Sequence, residues 1–417
     1  MSDPTLGPAL VELPATHHGA VRLGDPRYQS DSAAVFRTLR QAHGPVAPVL
    51  LHGGVPAWLV LGYRELLWVT DHPDTFARDS ARWRLGNQLP PDWPLWPLLG
   101  GGQAGHSLMY AEKEAHRRRA GALNAALDGI DRKEFAARCE EFGEQLVRRF
   151  SAVGRAELMA DYAMRLPVMA MSWALGVPAE YGPVLVEDFV TMIAGGPDAI
   201  AAHQRSREMV ARLVDESRGR PGRHVTARLA ADAAGLSREQ LVEDLLVTLT
   251  AGHQTTAYLI GNALRLMLTD ARHTDAFLRS HLPVQEAINA VLWDDTPTQT
   301  YAGRFTARPV SLGSYTVPEG DLVLLGIAAA NRDPFIRPDV AADLDGSRAY
   351  LSYSHGEHSC PHAARDLSQV MATTGIDVLL DALPGVRLAC RPEELRWDPS
   401  IWMRGLKNLP VCFFPAP

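Results

Sequence analysis

The stretch Tyr353-Ser-His-Gly-Glu-His-Ser-Cys360-Pro-His-Ala-Ala-Arg365 sets one cysteine between a glycine-containing turn and a run that reads as helix. Pro361 suits the first position of a helix, where its missing N–H is not needed and its φ is already helical. Cys360 therefore stands at a helix N-terminus. Unpaired backbone N–H groups and the positive end of the helix dipole favour an anionic sulfur there, and thiolate is the form that binds metal. Gly356 lets the incoming backbone pass close to a flat ligand. The competing role is that of a small buried hydrophobe, which an isolated Cys-Pro pair favours when nothing else surrounds it.

The whole segment resembles the haem-binding loop of the cytochromes P450, Phe-Gly-x-Gly-x-His-x-Cys-x-Gly ahead of a helix carrying Ala-Arg. Gly356, His358, Cys360, Ala364 and Arg365 match in register, while Tyr353 stands for the Phe, Ser354 for the first Gly and His362 for the last. The resemblance implies that Cys360 is the axial thiolate of haem b (iron protoporphyrin IX), with His358 on a propionate and Tyr353 and Gly356 in the cofactor loop. Thiolate ligation pushes electron density onto iron and favours O–O cleavage.

Composition limits the alternatives. The chain has 417 residues, 46% hydrophobic and 21% charged, which is globular usage. A net charge of -7 argues against nucleic acid as the main partner. Cys139, Cys360, Cys390 and Cys412 show no Cys-x-x-Cys spacing, which fits a reducing cytoplasm. The N-terminus lacks the basic and apolar blocks of a signal peptide, and no run of about 20 apolar residues spans a bilayer. No membrane partner is expected. The resemblance to bacterial P450s implies electrons from NAD(P)H through ferredoxin reductase and ferredoxin.

The pattern predicts a mainly α chain with small β regions. The resemblance implies the P450 fold, with a long central helix over haem, and a single haem-thiolate domain over 1–417. The β-rich parts are expected mostly at 30–80 and 304–329, the helical parts at 110–290 and 361–383. Pro56-Ala-Trp-Leu-Val-Leu-Gly62 has the length and composition of a strand, as do Tyr315-Thr-Val and Val411-Cys-Phe-Phe. Residues 82–108, with Trp83, Trp93, Trp96 and Gly100-Gly-Gly102, read as a long irregular loop. Helical spacing runs from 112 to 152 and through much of 157–275.

Ser237-Arg-Glu-Gln240 has capping-box form, and the helix it starts can run to about Thr269. Inside it, Ala251-Gly-His-Gln-Thr-Thr256 is an odd choice, because Gly costs about 1 kcal/mol against Ala. Something must approach that turn. Either Gly252 admits a neighbouring helix and the threonines bond their own backbone, or the turn serves chemistry. It resembles the P450 oxygen-activating turn, Ala-Gly-x-Asp/Glu-Thr-Thr, which implies catalytic roles for Gly252, Gln254 and Thr255, with Ala251 against the haem. Thr255 falls on the residue that organises water and protons. Gln254 replaces an acid, and an amide cannot relay protons as a carboxyl can.

The Glu-x-x-Arg ion pair of most P450s aligns with Ala290-Val-Leu-Trp293, so both charges are gone; Glu286-Ala-Ile-Asn289 offers a glutamate one turn early, without the arginine. Replacing a buried pair by apolar residues is often neutral, whereas losing one partner is costly. The chain resembles an actinobacterial branch whose motif ends in Leu-Trp. Buried propionates need cationic partners. The resemblance implies His116, His358 and Arg304, and it places Ala120 where an arginine is common, so one of Arg117, Arg118 and Arg119 is expected to substitute, with Arg119 the candidate. Part of that arginine run reads as a solvated helix face or as a dock for an acidic ferredoxin.

Substrate contacts are implied for the loop 82–108, the segment 185–205, residues 247–255, 300–303 and 400–405. These offer Trp83, Trp93, Trp96, Thr300, Tyr301, Trp402 and Met403, whose aromatic area suits an aryl-bearing ligand. Core packing is the alternative for each tryptophan. The expected activity is oxidation of an aromatic natural product, a cyclodipeptide (diketopiperazine) by resemblance to that branch, through hydrogen abstraction leading to coupling or hydroxylation. The other readings are a conventional regioselective hydroxylase and a non-catalytic haem-binding partner.

Overall fold

The computed structural model describes residues 10–96, 99, 107–178, 180–194, 198–220, 222–269, 284–338 and 346–415. The Gly100–Gly102 turn, residues 270–275 of the expected helical run and residues 195–197 of the expected substrate segment lie outside these. The chain forms two compact units, one built from Met1–Lys113, Leu292–Ser359 and Asp398–Arg404, the other from Glu114–Val291, Cys360–Trp397 and Gly405–Pro417.

The first unit carries a six-stranded sheet. Its centre is the antiparallel pair Val46–Leu50 and Pro56–Val60, in register Val46 with Val60 and Leu50 with Pro56. Every residue of both strands is buried, so their near-continuous apolar runs mark strands covered on both faces. Leu322–Leu325 adds in parallel, Tyr301–Thr306 follows antiparallel, and Phe76–Ala77 closes that edge. Val21–Arg22 closes the other. The strand expected over Pro56–Gly62 stops at Val60, because Gly62 is the N-cap of the helix Tyr63–Asp71. That helix and Ser32–His43 make the 30–80 region mixed rather than simply β-rich. Tyr301–Thr306 contains a register shift between Tyr301 and Arg304. Gly303 sits in it, where a Cβ would come within 2.1 Å of the Val323 carbonyl oxygen, so only glycine fits.

The second unit is mostly helical, as the spacing predicts, with helices at Lys113–Asp128, Arg132–Val147, Arg165–Leu175, Gly182–Ala194, Ala199–Ser217, Arg238–Thr269 and His362–Ala382. A small sheet of Arg155–Glu157, Arg387–Leu388 and Pro410–Cys412 completes it. The central helix has 32 residues, about 48 Å at 1.5 Å per residue. Its capping box forms as read: the Gln240 N–H donates to Ser237 Oγ at 3.2 Å, and the Ser237 N–H to Gln240 Oε1 at 3.1 Å. Two glycines let methionines lie close against this helix, Met171 at Gly252 and Met159 at Gly261. Among the described residues no helix is long and apolar enough to cross a membrane.

Candidate functional site

The cysteine loop is shaped by local backbone demands. In the first unit, Gly356 has φ +73°, and a Cβ there would meet the Thr70 carbonyl oxygen at 2.6 Å. His355 Nε2 lies 3.0 Å from Asp71 Oδ1, which ties the turn to the same helix end. Ser354, standing where the motif has glycine, has φ +61°, a left-handed backbone that an L side chain adopts only at a cost. In the second unit, Cys360 precedes Pro361, which is the N-cap of His362–Ala382 rather than its first residue. Arg365 Nε donates to the Cys360 carbonyl at 2.8 Å. Burial pushes the Cys360 thiol up to about 11, and Arg365 opposes this without reversing it. Helix position alone thus does not make the sulfur anionic, because desolvation outweighs it; a bound metal would hold the thiolate.

The turn Ala251–Thr256 presents its members in different directions. Ala251 is exposed, Gln254 and Thr255 are half-buried, and His253 is fully buried. Thr255 Oγ1 donates to the Ala251 carbonyl at 2.6 Å, which leaves its oxygen able to accept a further bond. Gln254 Nε2 donates to the Tyr258 hydroxyl at 3.3 Å. At Gly252 the packing alternative is realised, since a Cβ would stand 3.1 Å from the Met171 methyl. His253 anchors the turn by donating from Nε2 to the Met164 carbonyl at 2.7 Å.

Burial lowers His253 from 6.5 to about 4. The unfolded chain therefore binds more protons between these values, so stability is full above pH 6.5 and falls as pH drops towards 4. The expected loss between pH 7 and pH 5 is about 2 kcal/mol from this residue. Urea midpoints measured at both values check it: His253→Gln should flatten the dependence, and an unchanged slope would show that another group sets it.

The cationic residues divide sharply. His116 is 5% exposed on the helix Lys113–Asp128. Arg119 pairs with Asp244, its Nε donating to Oδ2 at 2.9 Å and its Nη2 to the other carboxylate oxygen, with both residues buried. Its charge is met inside the protein, which corrects the expectation that it substitutes for the arginine missing at Ala120. Arg117 reaches Glu114, and Arg118 donates to the Ala234 carbonyl. Arg304 behaves differently. It is 1% exposed, and among the described residues its side chain bonds only the Gly303 carbonyl, at 3.1 Å. Burial, then Arg78, pushes it down to about 9, so it stays a cation at neutral pH. A buried guanidinium with so little protein anion around it is suited to a carboxylate ligand. Arg78, 2% exposed beside it, was not foreseen, since a lone arginine after Phe76–Ala77 carries no local signal. His358 and Tyr353 are half-buried in the cysteine loop.

The aromatic residues expected to face substrate are drawn largely into the core. Trp83 and Trp93 are 4% and 2% exposed and pack on one another and on Trp96, with ring centroids 5.6–5.7 Å apart. Trp83 also stacks on Phe305, and the Trp93 indole donates to the His52 carbonyl. Trp402 is buried in the same cluster, and Thr300 is fully buried against the Tyr28 hydroxyl at 2.9 Å. Trp83, Trp93 and Trp402 thus belong to one core cluster, with Trp96 half-buried against it. Tyr301 and Met403 remain half-buried.

No protein-family model matches the chain. It is 29% identical over 401 residues to the cytochrome P450 monooxygenase PikC of Streptomyces venezuelae, covering 92% of this chain and 91% of the relative. It is 28% identical over 393 residues to the vitamin D(3) 25-hydroxylase of Pseudonocardia autotrophica, covering 90% and 92%. The ligand-bound CYP154C4 from Streptomyces sp. ATCC 11861 superposes with a TM-score of 0.82 at 27% identity, over 95% of this chain and 99% of that one. The chain belongs to the cytochrome P450 superfamily. As a P450 it is an oxidoreductase of the monooxygenase type, acting on natural products of secondary metabolism, and the reading as a non-catalytic haem binder falls. Family membership implies haem. The Cys360 sulfur and the buried Arg304 fit a P450 haem as donors to iron and to a carboxylate.

Proposed function

We propose that this P450 oxidises an aromatic natural product of moderate size, a cyclodipeptide being the specific candidate, by hydrogen abstraction leading to coupling. Cys360 would ligate the iron, while His116, Arg304 and His358 would hold the propionates. Bound in this way, the haem supplies O–O cleavage. Electrons would come from NAD(P)H through ferredoxin reductase and ferredoxin.

The observation that carries the coupling outcome is Gln254, whose amide donates to the Tyr258 hydroxyl. A carboxyl at this position can donate a proton and recover it, and an amide cannot. Proton delivery at the turn then rests on Thr255, whose oxygen is free to accept from an ordered water while its hydrogen is held by Ala251. A slower proton supply favours outcomes in which the substrate radical is not simply hydroxylated. A relative from Streptomyces coelicolor, 27% identical over 404 residues, is named a biflaviolin synthase rather than a hydroxylase, which supports an outcome other than hydroxylation on this scaffold. The half-buried Tyr301 and Met403 are the remaining candidates for substrate contact.

The test is incubation of the reduced enzyme with candidate cyclodipeptides, with and without a second aryl nucleophile, followed by product analysis. Coupled product is expected. Gln254→Glu should raise the hydroxylated share, with turnover to that product increasing by about 100-fold, the lower end of a general acid's contribution. Ratios must be compared at equal substrate occupancy. Unchanged ratios and turnover would return the enzyme to the conventional regioselective hydroxylase reading.

A further inference from the structure

We propose that Gln299 and Tyr28 are positioning residues that fix the bend 400–403, and with it Met403, against the strand that carries Tyr301. The inference rests on the reading of Met403 and Tyr301 as substrate contacts. All the groups involved lie in the first unit. Backbone carbonyls taken out of water need donors. Here the four successive carbonyls of Ser400, Ile401, Trp402 and Met403 all accept from residues remote in sequence. Gln299 Nε2 donates to Ser400 at 3.0 Å and to Met403 at 3.1 Å. The backbone N–H groups of Gln299 and Thr300 donate to Trp402, at 3.0 and 3.2 Å. The Tyr28 hydroxyl donates to Ile401 at 3.0 Å.

The clasp is buried, and its donors are committed to the bend. Gln299 is 2% exposed, and Tyr28 and Thr300 are fully buried. A side-chain amide has two hydrogens to donate, and Gln299 gives both to the two ends of one bend. Its own carbonyl accepts from the Ala328 N–H at 3.0 Å, which holds it from the other side. Tyr28 stands on the short helix Pro26–Ser30 with its ring edge-on to Phe36 at 5.7 Å. Its single hydroxyl hydrogen serves Ile401, so Thr300 Oγ1, 2.9 Å away, donates to it in turn. Ser400 Oγ closes the bend from within, accepting from the N–H groups of Trp402 and Met403 at 3.1 and 3.0 Å. Met403 also bridges to Thr298, and the Arg404 N–H donates to the Pro297 carbonyl at 2.8 Å. Loss of the Gln299 amide would strand the Ser400 and Met403 carbonyls, which can regain partners only if the bend moves. A shift of about 1 Å in a contact residue is enough to change binding and rate.

The haem-loaded protein is titrated with imidazole and with phenylimidazole, which bind iron through the same kind of nitrogen and differ by one aryl ring. The Soret shift gives both dissociation constants, and their ratio reads the contacts around the ring while cancelling effects common to both. Met403→Ala should lower the preference for phenylimidazole by about tenfold, the low end of what burying one large apolar side chain is worth. Gln299→Met, which fills the same space without a donor, should lower it by about as much. Tyr28→Phe, which removes a single hydroxyl, should lower it by less, and it carries the test alone if Gln299→Met does not fold. Exchange of the Trp402 and Met403 amide hydrogens should quicken in both variants. An unchanged ratio or unchanged exchange in these variants, beside the expected loss in Met403→Ala, would overturn the positioning roles and leave the contact reading standing. An unchanged ratio in Met403→Ala would overturn the contact reading, and the positioning roles with it.

Discussion

Cys360→Ala abolishes the red-shifted Soret band that a thiolate ligand gives the ferrous carbon monoxide complex, and turnover falls below detection. The expectation follows from where the four cysteines lie. Cys139 is fully buried in the helix Arg132–Val147, where desolvation raises its thiol to about 12. Cys412 lies in a strand paired with Arg155 on one side and Arg387 on the other. Cys360 alone stands at the start of a long helix, with an arginine, Arg365, reaching back to it. Its thiol is raised by burial, so the anion gains most from a metal that compensates the lost solvation. Cys390→Ala serves as the control and should leave the band intact. A Cys360→Ala protein that kept the band would remove Cys360 as the ligand.

Trp293→Arg lowers stability by about 3 kcal/mol or more, read as a fall in the urea midpoint, while Trp293→Phe costs only about 1 kcal/mol for its lost hydrogen bond. Trp293 is 2% exposed, its indole N–H donates to the Ser347 carbonyl at 2.9 Å, and its ring meets Tyr350 edge-on at 5.8 Å. The Arg337 guanidinium lies 5.3 Å from the ring centroid and bonds Asp294 at 2.9 Å. Asp294 also takes Arg332, at 3.3 Å. An arginine at 293 would be a third cation around one carboxylate, buried beside Arg337 and without an anion of its own. Glu286 is exposed and offers no partner. Equal midpoints for the two variants would show that this site tolerates an unpaired charge and that packing around Trp293 is not what replaced the ion pair.

Much of the site was legible because its signals are local. The capping box Ser237–Gln240 needs only four consecutive residues to be recognised, and it forms as read. At Gly356 the sequence pointed to a close approach, but to a flat ligand, whereas the partner the structure shows is the Thr70 carbonyl of a remote helix. The lost ion pair was legible as an absence at Ala290 and Trp293, but what stands there instead was not. Arg337 carries no mark in sequence of its place over the Trp293 ring or of its ion pair with Asp294.

By itself the sequence determined the helical and strand-forming segments, the cysteine at a helix start and the unusual turn inside the central helix, because propensity, capping and periodicity act over a few residues. Tertiary structure alone decided which charges are already spent and which rings are core. Arg119 is adjacent in sequence to Arg117 and Arg118 but finds Asp244 on another helix. Trp83 and Trp93 look like loop residues until Phe305 closes on them from a distant strand. Arg78 meets Arg304 only when the sheet sets the two opposite one another and the Gly303 carbonyl accepts from both. In each case the deciding partner is remote along the chain, and the energy of the contact exists only after folding has buried both members and removed the water that would otherwise satisfy them.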